Sequence, residues 1–269
     1  MGALGYSLRR ALELACWPLD RLPAVAGLTL LSLWGGVALL FLVGRLTNQP
    51  RLGRARDRMS AALYELRLFW DAPGDLARAF GRFLAAAARY LAHLAPAMAL
   101  LAAPFGLVYL HLDARYGTAP LPLGEPAIVR VALAPGVDGG PLQAEVDGRA
   151  VAVTAPPLVL AAEGAVYLRV EPRAAGRHRL GLRLGGVTVA KELAAGATAG
   201  PVHAARARGA AVLWAPGVEP PLPAGPIAAV EVLHPARPER YLGLPWWLYA
   251  LLVSTAIAFA LRRPAGVVL

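Results

Sequence analysis

Lysine is almost missing from this chain of 269 residues: Lys191 is the only one, and the net charge of +10 rests on arginine. Serine is nearly as scarce. Ser7, Ser32, Ser60 and Ser254 are all of them, and none sits in a G-x-S-x-G elbow, which excludes that kind of nucleophile. The single cysteine, Cys16, excludes an intramolecular disulfide. A lipobox would need an apolar run before it; instead Arg9, Arg10 and Glu13 stand there, so Cys16 is expected to be a small apolar residue of a short helix. The histidines His93, His111, His178, His203 and His234 are scattered without metal-ligand spacing, and no phosphate-binding glycine loop is present. Asp113, Glu125 and the other acids beyond residue 112 form no pair that spacing singles out. The expectation is a protein that is not an enzyme and carries no cofactor.

Charge is also in short supply. Charged residues are 16% of the chain and hydrophobic residues 57%, against about 25% charged in soluble domains. The apolar excess is concentrated in three uncharged runs of the length a bilayer core requires. The first is 24–44, between Arg21 and Arg45; the second is 91–111, bounded by Arg89 and Asp113; the third is 244–261, ending at Arg262 and Arg263. Trp246, Trp247 and Tyr249 open the third run, where an interfacial aromatic belt belongs. No small-residue cleavage pattern follows the first run, so it is expected to be an uncleaved anchor. No run contains Asp, Glu, Lys or Arg, which argues against an ion-coupled pump. His93 and His111 flank the second run, as anchors at helix ends or as parts of a proton relay.

The arginines set the expected orientation. Arg45, Arg51, Arg54, Arg56, Arg58, Arg67, Arg78, Arg82 and Arg89 all lie between the first two runs, so 45–90 is expected in the cytoplasm. Alternation then puts the amphipathic segment 1–23 and residues 112–243 outside, and the tail 262–269 inside. The basic excess follows from this orientation, and no specific nucleic-acid recognition is expected from it.

Segment 45–90 has a helical pattern in two arms. Leu52, Met59, Leu63, Leu66 and Trp70 form one stripe; Leu76, Phe80, Phe83, Leu84, Tyr90, Leu91 and Leu94 form the other. Asp71, Pro73 and Gly74 lie between them, Asp71 as a candidate cap, and the second arm is expected to continue into the second run. Arg54, Arg58, Arg67, Arg78 and Arg82 have two readings: a solvated surface facing lipid headgroups, or a docking surface for an anionic partner such as a ribosome or a nascent chain. In segment 3–17, Leu4, Leu8, Leu12 and Ala15 fall on one side of a helix suited to the membrane interface.

Beyond Ile128 the period changes to two. Residues 128–133, 149–154, 165–171, 177–184 and 187–193 are strand-like, with Asp147-Gly148 and Gly185-Gly186 as hairpin-turn signals. About seven short strands fit an immunoglobulin-like sandwich. The fold class expected is therefore an α-helical membrane protein with three transmembrane helices and a cytoplasmic helical hairpin, and with an inserted extracytoplasmic all-β, immunoglobulin-like sandwich domain.

The order of outer helix, span, basic hairpin, span, outer segment and span resembles the YidC/Oxa/Alb insertase superfamily, over residues 1–110 and 243–263. It is most similar to the reduced three-span branch, which has a short loop where this chain has its β segment. The resemblance implies a groove open to the cytoplasm that shields a client and a hairpin that receives it. Its candidate mouth here is Arg45, Arg89, Thr29 and Ser32. Separately, residues 64–69, 124–129 and 259–267 resemble an uncharacterised family of bacterial membrane proteins, which implies the bacterial inner membrane. Two functions remain open at this point. One is a non-enzymatic insertase or chaperone with nascent membrane proteins and lipids as partners. The other is an anchored assembly subunit whose β domain recognises an extracytoplasmic protein.

Overall fold

The computed structural model describes residues 2–140, 142–198, 200–215 and 217–267. It is a mixed helical and β architecture in two compact units. One comprises Met1–Gly27 with Gly106–Trp247; the other comprises Leu28–Phe105 with Leu248–Leu269.

The β part of the first unit has two sheets around one core. Strands β1 (Ala127–Leu133), β3 (Val151–Val153), β5 (Ala165–Pro172), β8 (Ala205–Ala207) and β9 (Ile227–Val232) form a sheet in the order β3-β5-β1-β9-β8, and β4 (Leu158–Leu160) also pairs with β5. Strands β2 (Gln143–Glu145), β6 (Gly176–Leu184) and β7 (Val187–Ala195) form the other, in the order β2-β6-β7. Alternation puts Val129, Val131, Leu168 and Val170 of the first sheet and Leu180, Leu182 and Leu193 of the second into a shared buried core. Each such side chain contributes about 1.5–3 kcal/mol by burial. Gly185 and Gly186 close the β6–β7 hairpin with φ of 56° and 76°, as a two-residue I′ turn requires. Asp147-Gly148 is not a hairpin turn. The strands on either side of it, β2 and β3, belong to different sheets, and the Asp147 carboxylate and carbonyl accept instead from the backbone N–H groups of Arg149, Ala150 and Val151.

Helix α1 (Gly2–Cys16) also belongs to this unit. It docks on the turn Gly209–Leu213 through Arg9, which is 1% exposed. Arg9 Nη1 donates to the Val212 carbonyl at 2.9 Å and to the Ala215 carbonyl. Of the stripe expected here, the side chains of Leu4, Leu8 and Ala15 lie outside the described ones, and Leu12 is half-buried. The buried residues of α1 among those described are Arg9 and Cys16, and Arg9 gives this helix a polar anchor on the β domain.

In the second unit, α2 (Ala24–Leu46) and the apolar part of α4 (Pro73–Leu112) are long and apolar enough to cross a membrane; α5 (Trp246–Leu261) is apolar but has 16 residues. Helix α3 (Gln49–Leu68) starts at Asn48, whose side chain accepts from the Arg51 N–H. Pro73 is the first residue of α4, where its missing N–H costs nothing. α4 then runs on without interruption through Pro96 and Pro104.

The seam of the α3–α4 hairpin differs from the expected stripes. The buried positions are Leu52, Ala55 and Ala62 on α3, and Ala79 and Ala86 on α4. Met59, Leu66, Phe83 and Tyr90 are half-buried, whereas Leu63, Trp70, Phe80, Leu84 and Leu91 are exposed. The buried alanines lie seven residues apart on each helix, and several of the bulky side chains are exposed.

Candidate functional site

Alanine in the seam leaves room at the base of the hairpin. A hollow of about 440 Å³ opens there, lined by Arg51, Arg54, Ala55 and Arg58 of α3 and by Ala86, Arg89 and His93 of α4. Positions 51, 54 and 58 fall on one face of α3, and 86, 89 and 93 on one face of α4. Ala55 and Ala86 form the floor. The polar side chains around them are four arginines and one histidine, and among the described residues none of these four guanidinium groups has an acid partner.

The expected docking arginines divide into three kinds. Arg54 and Arg58 line the hollow. Arg78 is paired with Asp75 on its own helix, and Arg82 donates to Glu65 across the hairpin at 2.7 Å. Arg67 is exposed in the last turn of α3, outside the hollow. Arg51 and His93 belong to the hollow and were not among the expected residues. Their signal was available in the spacing 51/54/58 against 86/89/93.

The four residues of the expected groove mouth are not brought together. Arg89 joins the hollow, whereas Arg45 lies over the Phe41 ring, one turn back on its own helix, at 4.9 Å. Thr29 and Ser32 are engaged between α2 and α5. Thr29 Oγ1 and the Tyr249 hydroxyl share a hydrogen bond of 2.8 Å. Ser32 Oγ donates to the Leu28 carbonyl, and Ser254 Oγ donates to the Ser32 carbonyl at 2.9 Å. The two backbones are close at Gly36, where a Cβ would overlap Ile257 and the Ser254 carbonyl.

A second concentration of polar groups is buried in the β domain. Lys191 has no exposed surface; its Nζ donates to Glu219 at 2.5 Å and to the carbonyls of Glu192 and His203. Burial lowers the Lys191 pKa, and the neighbouring Glu219 opposes that. His203 is buried, and its Nδ1 accepts from the Val218 N–H at 2.9 Å, which fixes the proton on Nε2. Burial, with Arg177, Lys191 and Arg9 nearby, brings its pKa down to about 4 despite Glu192. At the end of α4, His111 is buried with neither ring nitrogen hydrogen-bonded. Lys191 and His203 tie strands and turns together; among the described residues no cluster of three or more His, Cys, Asp or Glu has metal-binding geometry.

No protein-family model matches the chain, and no curated protein or solved structure is significantly similar to it.

Proposed function

We propose that the chain is a multi-pass membrane protein of insertase or membrane-chaperone type, which works by holding apolar segments of nascent membrane proteins and not by catalysis. In this reading α2, the apolar part of α4 and α5 cross the bacterial inner membrane. The α3–α4 hairpin is cytoplasmic, and the β domain, an immunoglobulin-like sandwich, is outside. The observation that carries the reading is the outer end of the hairpin. Leu63, Tyr64, Leu68, Trp70, Phe80 and Leu84 are each more than half exposed, interleaved with arginines. Bulky apolar side chains left uncovered on a polar arm mark a surface that something else covers. A client segment covering them recovers about 25 cal/mol per Å² of apolar area. Because Thr29 and Ser32 are engaged between α2 and α5, the reading assigns the client to the hairpin arms and not to a polar groove between those helices.

Site-specific photocrosslinking in cells tests it. A photoreactive residue replacing Tyr64 or Leu68 is expected to capture many different nascent membrane proteins. Capture of lipid alone would make these side chains interfacial anchors and end the chaperone reading. One observation favours the alternative of an anchored assembly subunit: Leu158 and Val159 are exposed on the edge strand β4, and Val159 borders a hollow of about 690 Å³. A photoreactive residue at Leu158 that captured one fixed extracytoplasmic protein, with silence at Tyr64 and Leu68, would favour that reading.

A further inference from the structure

We infer that the hollow at the base of the hairpin is a binding site for the headgroup of an anionic lipid carrying two phosphates. Four arginines and one histidine line a space that also borders two buried alanines, with no carboxylate in the lining. Like charges gathered in this way repel one another, and an anion removes the repulsion.

A second observation points the same way. Arg51, Arg54 and Arg58 occupy the first three turns of α3, and the first turn holds no acidic residue. The N-terminus of a helix already carries about half a positive charge, so cations there are disfavoured and anions favoured. α3 stacks cations at its positive end, the reverse of what helix stability alone selects.

The dimensions indicate two phosphates. Arg51 to Arg58 extends over about 10 Å of helix at 1.5 Å per residue, and Arg89 to His93 over about 6 Å. A single phosphate is too small to reach all of these groups, whereas two phosphates can each take a bidentate pair of guanidinium groups. The source of the phosphate rests on the membrane reading above. Arg51 lies five residues beyond the end of α2, and Arg89 two residues before the uncharged run that opens at Leu91, so the hollow falls at headgroup depth if both helices cross. Basic pockets at that level suit lipids of the cardiolipin class.

The test uses the full chain in phosphatidylcholine nanodiscs with graded cardiolipin or phosphatidylglycerol, and native mass spectrometry counts the lipid retained. One cardiolipin per chain is expected, held more tightly than two phosphatidylglycerols. Each arginine near the surface is worth about fivefold in affinity, so Arg54→Gln with Arg58→Gln should weaken retention about 30-fold. Arg67→Gln, outside the hollow, should change it less than twofold. Equal losses in the two variants, or equal retention of both lipids per phosphate, would reduce the site to diffuse surface charge and overturn the proposal. A separate arm measures pyrophosphate binding in detergent. Tight pyrophosphate binding without cardiolipin preference would make the ligand a soluble phosphoester and overturn the lipid assignment. Carbonate extraction of membranes distinguishes the other failure: a chain released by carbonate refutes the membrane reading itself, whatever the hollow binds.

Discussion

The β domain should lose stability in mild acid through one histidine. His203 is 8% exposed, and its Nδ1 accepts the Val218 N–H, so the neutral ring is part of the fold. Its pKa in the fold is about 4, against an ordinary 6.5, because burial and the cations Arg177, Lys191 and Arg9 outweigh Glu192. The folded pKa is the lower one, so below pH 6.5 the unfolded state binds the proton first. Stability is therefore complete above pH 6.5 and falls as the pH drops toward 4. At pH 4.5 the loss is about 2.5 kcal/mol, near 80-fold in an opening equilibrium. Hydrogen exchange of peptides from β6 and β7, corrected for intrinsic rate, reads that equilibrium in the full chain in detergent. The comparison is with His203→Asn, whose amide oxygen can accept the Val218 N–H but does not titrate. The variant should be less stable at pH 7, having lost ring volume, and should show a much smaller fall between pH 6.5 and 4.5. His234, whose burial also lowers its pKa to about 4, titrates in both proteins and cancels. An equal fall in both proteins, or an imidazole titrating near 6.5, would refute the assignment.

Glu219→Gln should leave the Lys191 ammonium buried against two carbonyls, at a cost of about 3–5 kcal/mol. Adding Lys191→Met should restore most of that in chemical denaturation. Gly36→Leu should lower the melting temperature of the detergent-solubilised chain by several degrees more than Gly35→Leu, because a Cβ at Gly36 overlaps α5 and one at Gly35 has 3.7 Å of room to Ser254 Oγ. Arg9→Ala removes a buried guanidinium with two carbonyl acceptors, and at about 1.5–3 kcal/mol for a charged hydrogen bond α1 should undock more often. Maleimide labelling of buried Cys16, the chain's lone thiol, should then speed up at least tenfold; an unchanged rate would mean that α1 is held by other contacts.

Period-two patterning between Ile128 and Leu193 located the long strands because their inward positions are Val and Leu facing one core. β3 falls within the expected 149–154, whereas β2, β4, β8 and β9 escaped it. β8 and β9 are rich in Ala, and a register shift at Ala132/Leu133 disturbs the pairing of β9. Asp147-Gly148 has the chemistry of a turn, but turn chemistry does not say whether the chain re-enters the same sheet. In the hairpin, the expected stripes hold in part: Leu52 is buried and Met59, Leu66, Phe83 and Tyr90 are half-buried. Ala55, Ala62, Ala79 and Ala86 are the other fully buried positions, and Leu63, Phe80 and Leu84 are exposed. The basic character of 45–90 was plain, but separating free arginines from paired ones needed Glu65 opposite Arg82 and Asp75 beside Arg78. Arg9 on Val212 and Lys191 on Glu219 join residues far apart in the chain, and no local pattern encodes such pairs.

The Arg9 contact constrains more than α1. Helix α1 and the turn Gly209–Leu213 are in contact, so they lie on the same side of any membrane the chain enters. Between them run α2 and α4, the two helices long and apolar enough to cross. A chain that starts and finishes on one side has crossed an even number of times. Under the proposed membrane reading, α2 and α4 therefore cross together; α5, which follows the turn, is not constrained by this contact. In the proposed orientation both cross, and the nine arginines of 45–90 are placed together on one side. The contact also removes Arg9 from the charge count, since its guanidinium is buried in the β domain and is not free to meet headgroups. The alternative, in which neither crosses, leaves Trp34, Phe41, Met98 and Leu100, each at least half exposed, facing water. At about 25 cal/mol per Å² that arrangement is the costlier one, and orientation assays on the β domain and on residues 45–90 distinguish it from the proposed one.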